Sequence, residues 1–204
     1  VPRYLEELLA ELTAEQNIRR LCFRPEGLLF REFDQIFHSL FDRRSGVYRQ
    51  LVESLARGRL DLGEICRALD KPKGGVVSSY LDDLVTAGFL AKEPGWELRT
   101  GRVKRQHHYR IKDNYLRFFL RYVAPRRSEI AALRFADKAL ETLPAWDAVM
   151  ALQFENLVLQ NRRELWHRCG LTAAEIMQEG PFFQTPTTRR RGCQIDYMMQ
   201  TTQG

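Results

Sequence analysis

Cysteine is scarce in this sequence and its spacing carries no motif. Cys22, Cys66, Cys169 and Cys193 are the four cysteines of 204 residues, and no two form a C-x-x-C pair. That spacing argues against a zinc site or a disulfide framework and fits idle or buried thiols in a reducing compartment. Histidine is equally sparse: His38 and His167 stand alone, and His107 and His108 are adjacent. No H-E-x-x-H pattern or catalytic triad can be drawn through them. Apolar runs are too short to cross a bilayer, and no stretch has the layout of a signal peptide. The expectation is a cytoplasmic protein with no membrane partner. A phosphate-binding loop is lacking as well, since "KPKGGVVSSY" holds two glycines but no Gly-Lys-Ser/Thr.

What is present is ordinary for a globular chain, 44% hydrophobic and 28% charged. The length suits one large domain or two small ones. The net charge of +6 is unevenly spread. Residues 1–44 hold 7 Lys/Arg against 8 Asp/Glu, residues 45–125 hold 15 against 9, and residues 126–204 hold 10 against 9. A basic excess confined to the middle segment suggests an acidic partner, with DNA the first choice.

Helical patterning dominates residues 1–44. Leu5, Leu8, Leu9 and Leu12 recur at helical spacing. Thr13 with Gln16 three residues on reads as a capping box opening a second helix. "RPEG" is a turn, after which Leu29, Phe33, Ile36, Phe37 and Leu40 form one stripe.

Residues 45–123 follow the order of a winged helix-turn-helix. Val47, Leu51, Val52 and Leu55 mark a first helix ending at Gly58. Asp61 is placed as the N-cap of a short second helix, "LGEICRAL". Val77, Leu81, Leu84 and Val85 form the inner stripe of a third, with Gly88 at its C′ position. "FLAKE" and "HYRI" read as strands flanking a polar stretch. The third helix would be the reading helix, exposing Lys73, Ser78, Ser79 and Asp82. The hairpin would be the wing, tipped by Arg99, Arg102, Lys104 and Arg105, which could neutralise phosphates. Winged helices also pack on proteins, and Asp82 and Asp83 would repel phosphates. Direct DNA contact and a regulatory role therefore both stand.

From residue 114 onward the expectation is mostly helix. Tyr115, Phe118, Phe119, Tyr122 and Val123 make an aromatic stripe that reads as core, ended by Pro125. Helices are expected over "SEIAALRFADKALETL" and "AWDAVMALQFENLVLQNRRELWHRCG", the second with Met150, Phe154, Leu157 and Val158 inward and Glu155 beside them. "TAAEIMQEG" suggests a short helix capped by Thr172. "CQIDYMMQ" reads as the opening strand of a sheet, despite Asp196, a residue type depleted from strands. Alternation places Cys193, Ile195, Tyr197 and Met199 on one face and Gln194, Asp196 and Met198 on the other.

Several stretches together resemble one family. "VPRYLEEL" with "NIRRLCFRPEGLLFREF" resembles the region after the ATPase core of prokaryotic and archaeal-type ATPases of the signal-transducing NTPase class, relatives of AAA+ proteins. The winged helix with "HYRIKDNYLRFFLRYVAP" resembles their next domain. "LQFENLVLQN" and "GPFFQTPTTRRRGCQIDYMMQT" resemble a C-terminal restriction-endonuclease-like domain with a PD-(D/E)xK pattern. The resemblance implies Glu155 and Asp196 as magnesium ligands of the parent protein, a hard cation that polarises phosphate and acidifies water. The Glu-x-Lys of the next strand is missing from the sequence. Glu155 could equally be a solvated or salt-bridged helix residue.

The expected fold is therefore mainly α with a small β wing: a winged helix-turn-helix flanked by an N-terminal helical segment and a C-terminal helical region leading into a truncated α/β nuclease-like domain. Residues 1–44 would be a lid-like helical segment following a missing ATPase core, 45–123 the winged helix, and 124–204 a helical linker with an incomplete PD-(D/E)xK-like domain. The first residues lack a methionine and read like the interior of a longer protein. The functional expectation is a non-catalytic C-terminal fragment of an ATP-binding ATPase, binding DNA or regulating its own ATPase domain. ATP and magnesium belong to the parent, and the fragment itself holds no cofactor. The alternatives are a metal-dependent DNA nuclease active only in the full protein and a protein-interaction module without DNA contact.

Overall fold

The computed structural model describes residues 2–41, 45–98, 100–135, 138–184, 186, 188 and 191–202. Along the chain run α1 (Pro2–Glu6), α2 (Ala14–Cys22), α3 (Leu28–Phe41), α4 (Ser45–Ser54), β1 (Leu60–Asp61), α5 (Leu62–Ala68) and α6 (Gly75–Thr86). Then come β2 (Leu90–Trp96), β3 (Val103–Ile111), α7 (Asn114–Phe118), α8 (Arg127–Ala131), α9 (Trp146–Gln160), α10 (Arg162–Arg168), β4 (Ile176–Gln184) and β5 (Cys193–Thr201). Helix predominates as expected, but two small antiparallel sheets make the class mixed α and β. The chain divides into two compact units, one of residues 1–57 with 115–149 and one of residues 58–114 with 150–204.

The first unit is helical and aromatic. Thr13 caps α2 through the expected box: its hydroxyl accepts from the Gln16 N–H and the Gln16 side chain accepts from the Thr13 N–H. The leucine-spaced helix stops at Glu6 instead of reaching Leu12, and Leu5, Leu8 and Leu9 are exposed. Asn17, buried on α2, explains the stop. Its carboxamide donates to the carbonyls of Leu9, Leu12 and Thr13 and accepts from the Leu9 N–H at 2.9 Å. A side chain that satisfies backbone groups locally competes with the helix for them.

Phe33 and Phe37 on α3 stack at 4.4 Å, and Phe33 stacks on Phe119 at the same distance. Phe119 begins a π-helical turn, Phe119–Val123, followed by the 3-10 turn Ala124–Arg126. Pro125 was expected to end the helix here. Instead the helical path continues into α8, because the wider turn and the tighter one absorb the proline's missing N–H and bulky ring. Beyond α8 the expected helix over 128–143 fails. Leu133 adopts a φ of 57°, which breaks the helix, and Phe135 is fully buried, stacked at 4.3 Å on Phe23.

The second unit carries the sheets. β3 lies between β1 and β2, all antiparallel. Pro94 is tolerated because β2 is an edge strand, and the register shifts beside it. Asp61 caps α5 in a reciprocal box with Glu64. Val77, Leu81 and Leu84 of α6 are buried, and Gly88 closes it with a φ of 83°. The stretch from residue 176 is a strand, not the expected helix. Thr172 makes only a turn, accepting from the Glu175 N–H and donating to its carboxylate. Consequently β5 does not open a sheet: it pairs antiparallel with β4. β4 in turn meets β2, where the Trp96 indole donates to the Pro181 carbonyl at 3.1 Å and its ring meets Phe182 edge-on.

The inward face of α9 differs from the sequence expectation, although Met150 and Val158 are half-buried. Phe154 and Leu157 are 65% and 55% exposed, whereas Glu155 and Asn156 are buried. Apolar residues surround this helix on every side, so periodicity could not select a face. The selection comes from hydrogen bonding. Asn156 donates to the carbonyls of Ile111 and Lys112 and, at 2.6 Å, to the Asn114 side chain, where β3 leaves the sheet.

Replacing Asn17 with alanine strands several backbone groups at once. Asn17→Ala should lower stability by about 2 kcal/mol, read as a shift of the urea midpoint. An unchanged midpoint would show that the 8–12 segment is held by something else.

Candidate functional site: a basic groove and a buried ion network

Of the residues expected to touch nucleic acid, the structure gathers three. Lys73, Ser78 and Arg105 line one groove of about 440 Å³ in the second unit, together with Lys92 and His107. Lys73 precedes α6, and its side chain lies over Gly63: a Cβ added there would stand 2.7 Å from the Lys73 amine. Gly74 is the N-cap of α6 and offers no side chain to cap it, which leaves the first N–H groups of the helix open to an anion. Lys92 donates to Asp82 at 2.9 Å. That hydrogen bond is the main reason its ammonium pKa lies above the ordinary lysine range, and it neutralises part of the Asp82 charge.

The other expected residues fall elsewhere. Strand alternation puts Lys104 on the opposite face of β3 from Arg105, where its side chain runs over Gly95. Arg102 and Ser79 are exposed but outside the groove. Arg99 lies outside the described residues. Lys92 was missed by sequence reasoning, although its register partner Tyr109 could have placed it on the groove side of β2.

Glu155 and Asp196, expected as magnesium ligands, do approach a common point. That point is the guanidinium of Arg59. Arg59 is hydrogen-bonded to Glu155 and lies 3.6 Å from Asp196 and 4.0 Å from Glu93. Glu93 accepts from Arg110 at 2.5 Å, and Arg110 also donates to Asn156. Arg59 sits over the Phe183 ring at 4.9 Å, and His108 packs on the same ring at 4.1 Å. Two buried guanidiniums therefore balance two buried carboxylates, with Asp196, 62% exposed, at the edge. Burial pulls the Arg59 pKa below its usual range, and Glu93 and Asp196 offset part of that.

These donors do not fit a divalent cation as they stand. A hard cation takes several oxygen ligands, yet the Glu155 and Asp196 oxygens face a side chain that already carries positive charge. No group of three or more His, Cys, Asp or Glu able to hold a metal occurs among the described residues. The sequence signal for the real arrangement was Arg110: alternation puts it on the same face of β3 as His108, away from the groove, where a charged residue needs a partner.

By fold and site the molecule is a mixed α/β protein pairing a basic groove with a buried ion network. No protein-family model matches the chain, and no solved structure matches it. It is 27% identical over 130 residues to an uncharacterised protein of Methanocaldococcus jannaschii, MJECL04. The matched region covers 64% of this chain and 28% of that protein, so the chain spans less than a third of the relative's length.

Arg59→Ala leaves Glu155 buried without its counter-charge, and stability should fall by about 3–5 kcal/mol. Asp196→Ala, at the exposed edge, should change it by less than about 1 kcal/mol. Equal effects in denaturant titrations would contradict this ranking. His108 provides a pH test. Burial holds its pKa below the ordinary value, with Arg59 acting in the same direction against Asp61, Glu64 and Glu93. The unfolded chain then takes up a proton that the folded one refuses, so this contribution is complete above about pH 6.5 and is lost as pH falls below it. His108→Phe, which keeps a ring on Phe183, should flatten that slope in unfolding midpoints measured from neutral pH downward.

Proposed function

We propose that this chain binds nucleic acid through its phosphate backbone, in the manner of a winged helix-turn-helix. The observation that carries the proposal is the convergence of Lys73, Ser78 and Arg105 on one groove beside the uncapped start of α6. Lysine and arginine there neutralise phosphates and release counterions, and open helix N–H groups donate to phosphate oxygens. The β2–β3 pair takes the part of the wing and α6 that of the reading helix.

The exposed face of α6 offers Val76, Ser79, Asp82 and Asp83. It carries no arginine, lysine, asparagine or glutamine, the side chains that pair bidentately with guanine or adenine edges. Binding is therefore sequence-independent, set by phosphates rather than by bases. Cleavage forms no part of the proposal, because Glu155 and Asp196 are turned onto Arg59.

Fluorescence anisotropy with short labelled duplexes tests this. Affinity should fall steeply between about 50 and 200 mM salt. Arg105→Ala should weaken binding and reduce the salt slope by about one, and unrelated duplexes should bind with similar affinity. Undetectable binding at low salt, or binding without a salt dependence, would sink the proposal.

A further inference from the structure

The first unit holds a second concentration of positive charge, separate from the groove. Arg49, Arg57, Arg121 and Arg127 line a cavity of about 400 Å³ together with Glu53, a single carboxylate. These arginines come from α4, the turn after it, the π-helical turn and α8, so folding brings them together from two stretches of the chain, 49–57 and 121–127.

Two of the four are held in place. Asp34 accepts from Arg49 at 2.7 Å and pairs with Arg127. Arg49 lies over the Phe33 ring at 4.9 Å and Arg127 over Phe119 at 5.3 Å, and those rings are stacked on each other. One carboxylate and one aromatic pair thus preset two guanidiniums before any ligand arrives. Among the described residues Arg57 and Arg121 form no ion pair, and Arg121 Nε is buried with no hydrogen-bond acceptor. Counting Asp34 and Glu53, four positive charges face two negative ones.

An unsatisfied buried donor is unfavourable, and four converging guanidiniums repel one another unless an anion lies between them. Guanidinium forks match phosphate oxygens two at a time. We propose that this arginine cradle binds a compact, multiply charged phosphate: a diphosphate group, free or carried by a nucleotide. Arg57 and Arg121 supply the bonds made on binding, and Arg49 and Arg127 supply a preset field.

Isothermal titration of the full chain with pyrophosphate tests the site. Arg57→Gln and Arg121→Gln should each weaken binding about tenfold or more, while Arg168→Gln, at an exposed position outside both basic sites, leaves it unchanged. Arg57 is exposed, so Arg57→Gln decides the question if Arg121→Gln fails to fold. A nucleoside diphosphate that binds as tightly as pyrophosphate identifies the nucleotide as the source, and markedly weaker binding identifies the free diphosphate. Lack of pyrophosphate binding at millimolar concentration, equal affinity of the Arg57→Gln variant, or displacement of pyrophosphate by duplex DNA would each overturn the proposal.

Discussion

Two buried guanidiniums govern the second unit. Arg59 and Arg110 cannot be left uncompensated inside a protein, and each acceptor they find comes from a different element. Glu93 comes from β2, Glu155 and Asn156 from α9, and Asp196 from β5. The seat of α9, the exit of β3 and the approach of β5 all follow from that one requirement. It also explains why α9 exposes Phe154 and Leu157: exposing two apolar side chains is less unfavourable than burying a charge without its partner.

A different constraint shapes the first unit. Its core is a chain of aromatic contacts, Phe37 to Phe33 to Phe119 and Phe23 to Phe135. Stacked ring pairs add to the stability that burial alone gives, and the backbone accommodates them. Leu133 takes a left-handed conformation, and the helix carrying Phe119 widens into a π turn ahead of Pro125. The arginines above Phe33 and Phe119 use the same rings as a platform. Charge clustering on this surface is thus a consequence of how the aromatic core is built.

Much of the local structure was legible from residue types at short spacing. Thr13 with Gln16, Asp61 with Glu64, the inner stripe of α6 and the glycine closing it all depend on interactions within four residues. The groove was legible in part, since Lys73, Ser78 and Arg105 converge while Lys104 and Arg105 are parted by strand alternation. The residues flanking Gly180 illustrate the opposite case. "TAAEIMQEG" contains good helix formers, yet it becomes a strand because β5 offers it a partner, and no local feature announces that pairing. Glu155 and Asp196 were placed together by resemblance; that their common neighbour is Arg59, 96 residues before Glu155, could not be read from either surrounding stretch.

Asp196 shows the division most clearly. The sequence by itself determined that it lies on a strand, but not the face it takes, because the register of β4 and β5 shifts beside it and interrupts the alternation. It likewise determined the starts of α2 and α5 and the uneven distribution of basic residues. Only the tertiary structure decided what Asp196 faces, which side of α9 is buried and which arginines share a cavity. Those outcomes rest on charge compensation and ring packing between distant segments, and such energies exist only once the chain has brought the groups into contact.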